Sequence, residues 1–119
     1  MSFKVVALLK RRADLTREQF IDYYETRHAP LILKLTPGIV GYRRNFADFE
    51  GAYVFPDAAP FDFDAVTELW YADRAAYDHA MAVTAQPEIW AQIEADEMNF
   101  LDRGKTRLFV VEERISDLG

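Results

Sequence analysis

Two side chains in this sequence have the type and setting for proton transfer, and five more could shape a pocket around them. His28 stands in the stretch FIDYYETRHAPL, residues 20–31. Residues four apart on a helix share a face, so Phe20, Tyr24, His28 and Ile32 form one mostly apolar stripe. The stripe sets an imidazole, the one side chain with an ordinary pKa of about 6.5, beside a tyrosine hydroxyl. In a partly apolar cleft that ring accepts or donates a proton near neutral pH. An architectural reading stands beside the catalytic one. Pro30 has no N–H and crowds the turn before it, so His28 would bond a freed carbonyl and close the helix end.

Glu68 is the second proton-transfer candidate, placed mid-strand in FDAVTELWY between Val66 and Trp70 on one face. An unpaired carboxylate in a strand covered on both sides has a raised pKa and can act as acid or base. The alternative is an ion pair with Arg43 or Arg44 on the neighbouring strand, or a place near a rim. Tyr23 and Tyr24 are adjacent, and the four-residue spacing selects Tyr24 as the neighbour of His28. Trp70, Tyr42 and Phe100 either line a pocket for a flat organic molecule or fill the core. Asn45 is a possible polar anchor at a strand end.

The elements that position these residues follow from periodicity and punctuation. Phe3 to Leu9 is a short apolar run that reads as a buried strand. Thr16 and Gln19 have capping-box spacing, so a helix runs from about Thr16 to the HAP segment or shortly beyond. Pro37-Gly38 is a turn. A strand over Ile39–Phe46 follows, with Val40, Tyr42, Arg44 and Phe46 on one side. Residues 47–62 lack any period, and a loop of that length often borders a site. Phe63 to Tyr71 alternates as a third strand. Asp73 caps a helix from Arg74 to about Val83, and Pro87 opens another that ends near Leu101. After Gly104 comes a last strand, Thr106 to Glu112.

This order is that of the split βαβ, or ferredoxin-like, α+β fold: a four-stranded antiparallel sheet with helices on one face. Its 119 residues make one domain, 1–119. Val5, Val6, Leu8, Val66, Leu69, Val110 and Val111 leave the other face too apolar for water. A second copy packed sheet to sheet would cover it, which predicts a homodimer.

Composition excludes several classes. With 20 acidic against 14 basic residues and a net charge of −6, nucleic acid and anionic membranes are poor partners. Cysteine is absent, which rules out disulfides and thiolate chemistry and fits a reducing cytoplasm. The apolar run near the N-terminus is far short of the roughly 20 residues of a membrane span. His28 and His79 fall on different helices, and no H-x-x-x-H or acidic ladder accompanies them, so no metal is expected. Asp62-Phe63-Asp64 completes no calcium loop. The scattered glycines form no phosphate cradle, and Ser2 and Ser116 sit at the termini rather than in a nucleophile motif.

The opening LTREQF, the tyrosine pair and HAPL, with FDAVTELWY and DEMNFLD further on, resemble the EthD family of dimeric α/β-barrel proteins. That resemblance covers nearly the whole chain and implies a two-sheet barrel formed by a homodimer. Fungal members of the family include dehydratases of polyketide-like compounds, which favours a site at His28. Haem-degrading monooxygenases are similar in fold, but their usual asparagine on the first strand has no counterpart in FKVVALLK.

Two functional readings result. One is a cofactor-independent dehydratase or isomerase of a small hydrophobic molecule, with His28 moving a proton and Glu68 and Tyr24 assisting. The other is a non-catalytic dimeric accessory protein of an oxidative pathway for ether or aromatic degradation. Any oxidoreductase label would come from that family association alone.

Overall fold

The computed structural model describes residues 2–119. The capping box forms as the sequence implies: the Gln19 N–H donates to Thr16 Oγ1 at 3.1 Å, and the Thr16 N–H donates to Gln19 Oε1 at 2.9 Å. Helical backbone then continues without a break through α1 (Arg17–Tyr23), a π-helical turn (Tyr24–His28) and α2 (Ala29–Leu35). Pro30 therefore does not end the helix. In a regular α-helix its ring would press on the carbonyl four residues earlier. The wider turn, closed by the Ala29 N–H donating to the Tyr24 carbonyl, makes room for it.

Four strands, β1 (Phe3–Leu9), β2 (Ile39–Phe46), β3 (Ala65–Tyr71) and β4 (Arg107–Val111), form one sheet in the order β2-β3-β1-β4. All three pairings are antiparallel. Helix α3 (Arg74–Thr84) starts at Asp73, whose Oδ1 accepts from the Ala76 N–H at 2.8 Å, and α4 (Pro87–Glu97) has proline in its first turn. This is the α+β ferredoxin-like fold. Residues 47–64 hold no helix or strand, so the third strand starts two residues later than its pattern implied. Helix α4 stops at Glu97, and Leu101 pairs with Arg11 outside the named strands. Among the described residues no helix is long and apolar enough to cross a membrane.

Strand alternation decides which side chains meet. Val5, Ala7 and Leu9 of β1, and Ala65, Thr67, Leu69 and Tyr71 of β3, are buried against the helices. The expectation that Val5, Leu69 and Val110 share the open face with Val6, Leu8, Val66 and Val111 does not hold. Val5 is fully buried and pairs with both Leu69 and Val110, so these three lie on the helix side. Tyr42, Arg44 and Phe46 share one side as expected. Val40 is thrown out by a bulge between Ile39 and Gly41 and is exposed. The open face carries Val6, Leu8, Val66, Trp70, Phe109 and Val111, together with Lys4, Arg43, Asn45 and Glu68.

Candidate functional site

Between the helix side of the sheet and the helices lies a cavity of about 270 Å³. Leu9, Tyr42, Thr67, Leu69 and Leu108 contribute from the strands, Tyr24, His28 and Ile32 from the helical rod, and Met81, Trp90, Ile93 and Glu97 from α3 and α4. Among the described residues no lysine or arginine lines it.

His28 is only 5% exposed, in the π turn, and its partner is a carboxylate rather than a carbonyl. The Nδ1–H donates to Asp96 Oδ2 at 2.5 Å, an assignment that follows from Asp96 being an acceptor. The Tyr23 hydroxyl donates to Asp96 Oδ1 at 2.9 Å, and Asn99 Nδ2 donates to the Tyr23 oxygen at 3.1 Å. Asp96 is thus held on both oxygens, and it selects the tautomer that leaves Nε2 as an acceptor for the cavity. The imidazole is wedged between rings: Tyr24 lies edge-on with centroids 4.9 Å apart, and Phe100 is tilted at 4.8 Å. The helix-end reading of His28 fails on this geometry, since the helix runs on past it.

A hydroxyl cluster stands beside the imidazole. Tyr24 and Thr67 share a 2.5 Å hydrogen bond, and the Tyr42 hydroxyl donates weakly to that of Tyr24 at 3.5 Å. Burial pushes the phenols of Tyr24 and Tyr42 above the usual tyrosine value, so both remain neutral donors across the physiological range. Burial likewise holds the Glu97 carboxyl above its ordinary value, against the opposing Arg103 guanidinium, whose Nε is 3.4 Å away.

The sequence-derived candidates divide across the sheet. Tyr24 and Tyr42 join His28 in the cavity wall, and Phe100, fully buried, packs behind the imidazole rather than lining the cavity. Glu68, Asn45 and Trp70 lie on the opposite face. Glu68 pairs with Lys4, not with Arg43 or Arg44, at 2.7 Å, and Asn45 Nδ2 donates to it at 3.0 Å. Those two bonds hold its carboxyl below the usual range, the reverse of a poised acid. Trp70 packs over Gly41, with the Lys4 ammonium 4.8 Å and the Arg43 guanidinium 5.2 Å from the ring.

Sequence reasoning passed over Asp96, Glu97, Thr67 and Trp90. A signal was present for Asp96: Ile93, Asp96 and Phe100 recur at core-facing helical spacing in IEADEMNF, which places a carboxylate on a stripe meant for burial. Among the described residues no group of three His, Asp or Glu side chains could hold a metal ion.

Comparison with known proteins agrees with this architecture. Among curated proteins nothing matches. A solved EthD family protein from Bacillus halodurans C-125 is 26% identical, with 96% of this chain and 100% of that one aligned at a TM-score of 0.62. An EthD-like protein from Ralstonia eutropha JMP134 aligns over 98% and 96% of the two chains at 19% identity and a TM-score of 0.65. The cofactor-independent oxygenase SnoaB from Streptomyces nogalater, 15% identical, shares the fold over 99% and 98% of the chains at a TM-score of 0.56. The family model for the EthD domain matches residues 12–104, and the chain belongs to the EthD family.

Proposed function

We propose that the cavity binds a small, uncharged and largely apolar carbonyl compound and that His28 Nε2 removes a proton from the carbon beside the carbonyl. The observation that carries this reading is the pairing of His28 with buried Asp96, which aims a free imidazole acceptor into an apolar chamber. With no lysine or arginine on the wall among the described residues, a carboxylate or phosphate substrate would be desolvated without such a partner. The Tyr24 hydroxyl, which accepts from Tyr42 and can accept from Thr67, then keeps its own proton to donate to the oxygen on which charge develops. Dehydration and isomerisation both begin with that proton transfer, and neither needs a bound cofactor.

A bicyclic β-hydroxy ketone, 3-hydroxy-1-tetralone, tests the proposal. The wild-type protein in D2O should exchange the proton beside the carbonyl faster than buffer does, as read by NMR. Saturable binding without accelerated exchange would sink the catalytic reading and leave the accessory, binding-only one.

A second copy of the chain is our proposed partner on the open sheet face. The support is an apolar surface built by Val6, Leu8, Val66, Trp70 and Phe109, a ring 44% exposed in the single chain. Light scattering at micromolar concentration should return twice the 13.8 kDa chain mass; a monomer would refute the assembly. Replacing Phe109 with glutamate should shift the species toward monomer.

A further inference from the structure

We propose that Glu97 is a second proton-transfer group of the cavity, the acid that hands a proton to the group leaving from the carbon one further along from the carbonyl. The inference rests on the reading of His28 given above and extends it from proton removal to a complete elimination.

The argument begins with helix geometry. Trp90, Ile93 and Glu97 recur at three- and four-residue steps, and all three line the cavity. Asp96, one residue earlier, is turned about a quarter of the helix away and serves His28 and Tyr23 instead. Two adjacent carboxylates on one helix thus have different surroundings, one locked in hydrogen bonds and one belonging to a residue that lines the chamber, 3.4 Å from Arg103. Different environments for paired ionisable groups are the usual basis for dividing acid and base roles.

The charged and titratable groups that face Glu97 are few. Arg103 approaches at 3.4 Å but also serves Glu94 at 3.3 Å, and its guanidinium lies 5.8 Å from the Trp90 ring centre. His28 faces it from the π turn, and Asp96 adjoins it on the helix. Burial outweighs the pull of Arg103, so the carboxyl keeps its proton to a higher pH than an ordinary glutamate.

The step balances without an oxidant or reductant. His28 Nε2 takes the proton from the carbon beside the carbonyl, and that C–H electron pair forms the new C=C bond. The C–O bond to the leaving hydroxyl breaks as Glu97 supplies its proton, and water departs. The proton on His28 passes to solvent, which also reprotonates Glu97.

The same probe separates the two roles, because 3-hydroxy-1-tetralone yields fluorescent 1-naphthol once water is lost. Glu97→Gln should leave proton exchange beside the carbonyl within about threefold of wild type. It should slow naphthol formation by about 100-fold, the scale of general-acid catalysis. The wild-type naphthol rate should also fall as pH rises and Glu97 ionises, and this limb should vanish in the variant. Naphthol formation unchanged in Glu97→Gln would overturn the proposal. So would an equal loss of exchange, elimination and melting temperature, since that marks a structural residue. Wild-type exchange without elimination would remove Glu97 while sparing His28; wild-type protein that does neither would remove both.

Discussion

Phe100→Ala is expected to lower stability by about 3–5 kcal/mol, the usual range for deleting a fully buried aromatic ring. Phe100 is wholly buried and packs against four rings at once: Phe20 at 5.6 Å, Tyr23 at 4.9 Å, Tyr24 at 5.7 Å and His28 at 4.8 Å. Three of these neighbours are tied down elsewhere, Tyr23 and His28 to Asp96 and Tyr24 to Thr67, so of the four only Phe20 can shift into the void without straining a hydrogen bond. For a domain of this size the loss corresponds to a melting temperature lower by roughly 10–20 °C. Urea unfolding should show the midpoint falling at constant slope, and a loss under about 1 kcal/mol would mean the ring is not a packing centre. Phe100→Leu, which keeps most of the volume, should cost clearly less.

That ring also shows where sequence reading reached and where it stopped. The helix start at Thr16 and Gln19, the order of strands and helices, and the stripe joining Phe20, Tyr24 and His28 are local patterns, and each appears in the fold. The phase of β3 was not legible. Its alternation normally contrasts an apolar face with a polar one, but here Val66 and Trp70 are as apolar as Ala65 and Leu69. Nothing local then says on which side Glu68 falls, and the side decides whether it meets His28 or Lys4. The contact between His28 and Asp96 joins residues 68 apart, and the capacity of a π turn to carry the helix past Pro30 is likewise settled by tertiary packing. Helical spacing located the histidine; only the fold supplied its partner.

Asp96→Asn is expected to cut proton exchange on the tetralone probe by about 10³-fold while leaving the apparent affinity nearly unchanged. The carboxylate accepts from His28 Nδ1 at 2.5 Å and from the Tyr23 hydroxyl at 2.9 Å, and asparagine has nearly the same shape. Its carbonyl oxygen can still accept from Tyr23, which turns the amide NH2 toward His28. The imidazole must then accept at Nδ1 and carry its proton on Nε2, the wrong tautomer for a base facing the cavity. A fall in kcat with constant KM separates this positioning role from mere loss of fold, and the melting temperature should drop only slightly. His28→Gln should lose a comparable factor, within the 10²–10⁴ typical of a general base, because it removes the acceptor itself. The double variant should be hardly worse than either single one, since both changes disable one unit. Additive losses would show that His28 and Asp96 act separately and that the 2.5 Å contact is structural.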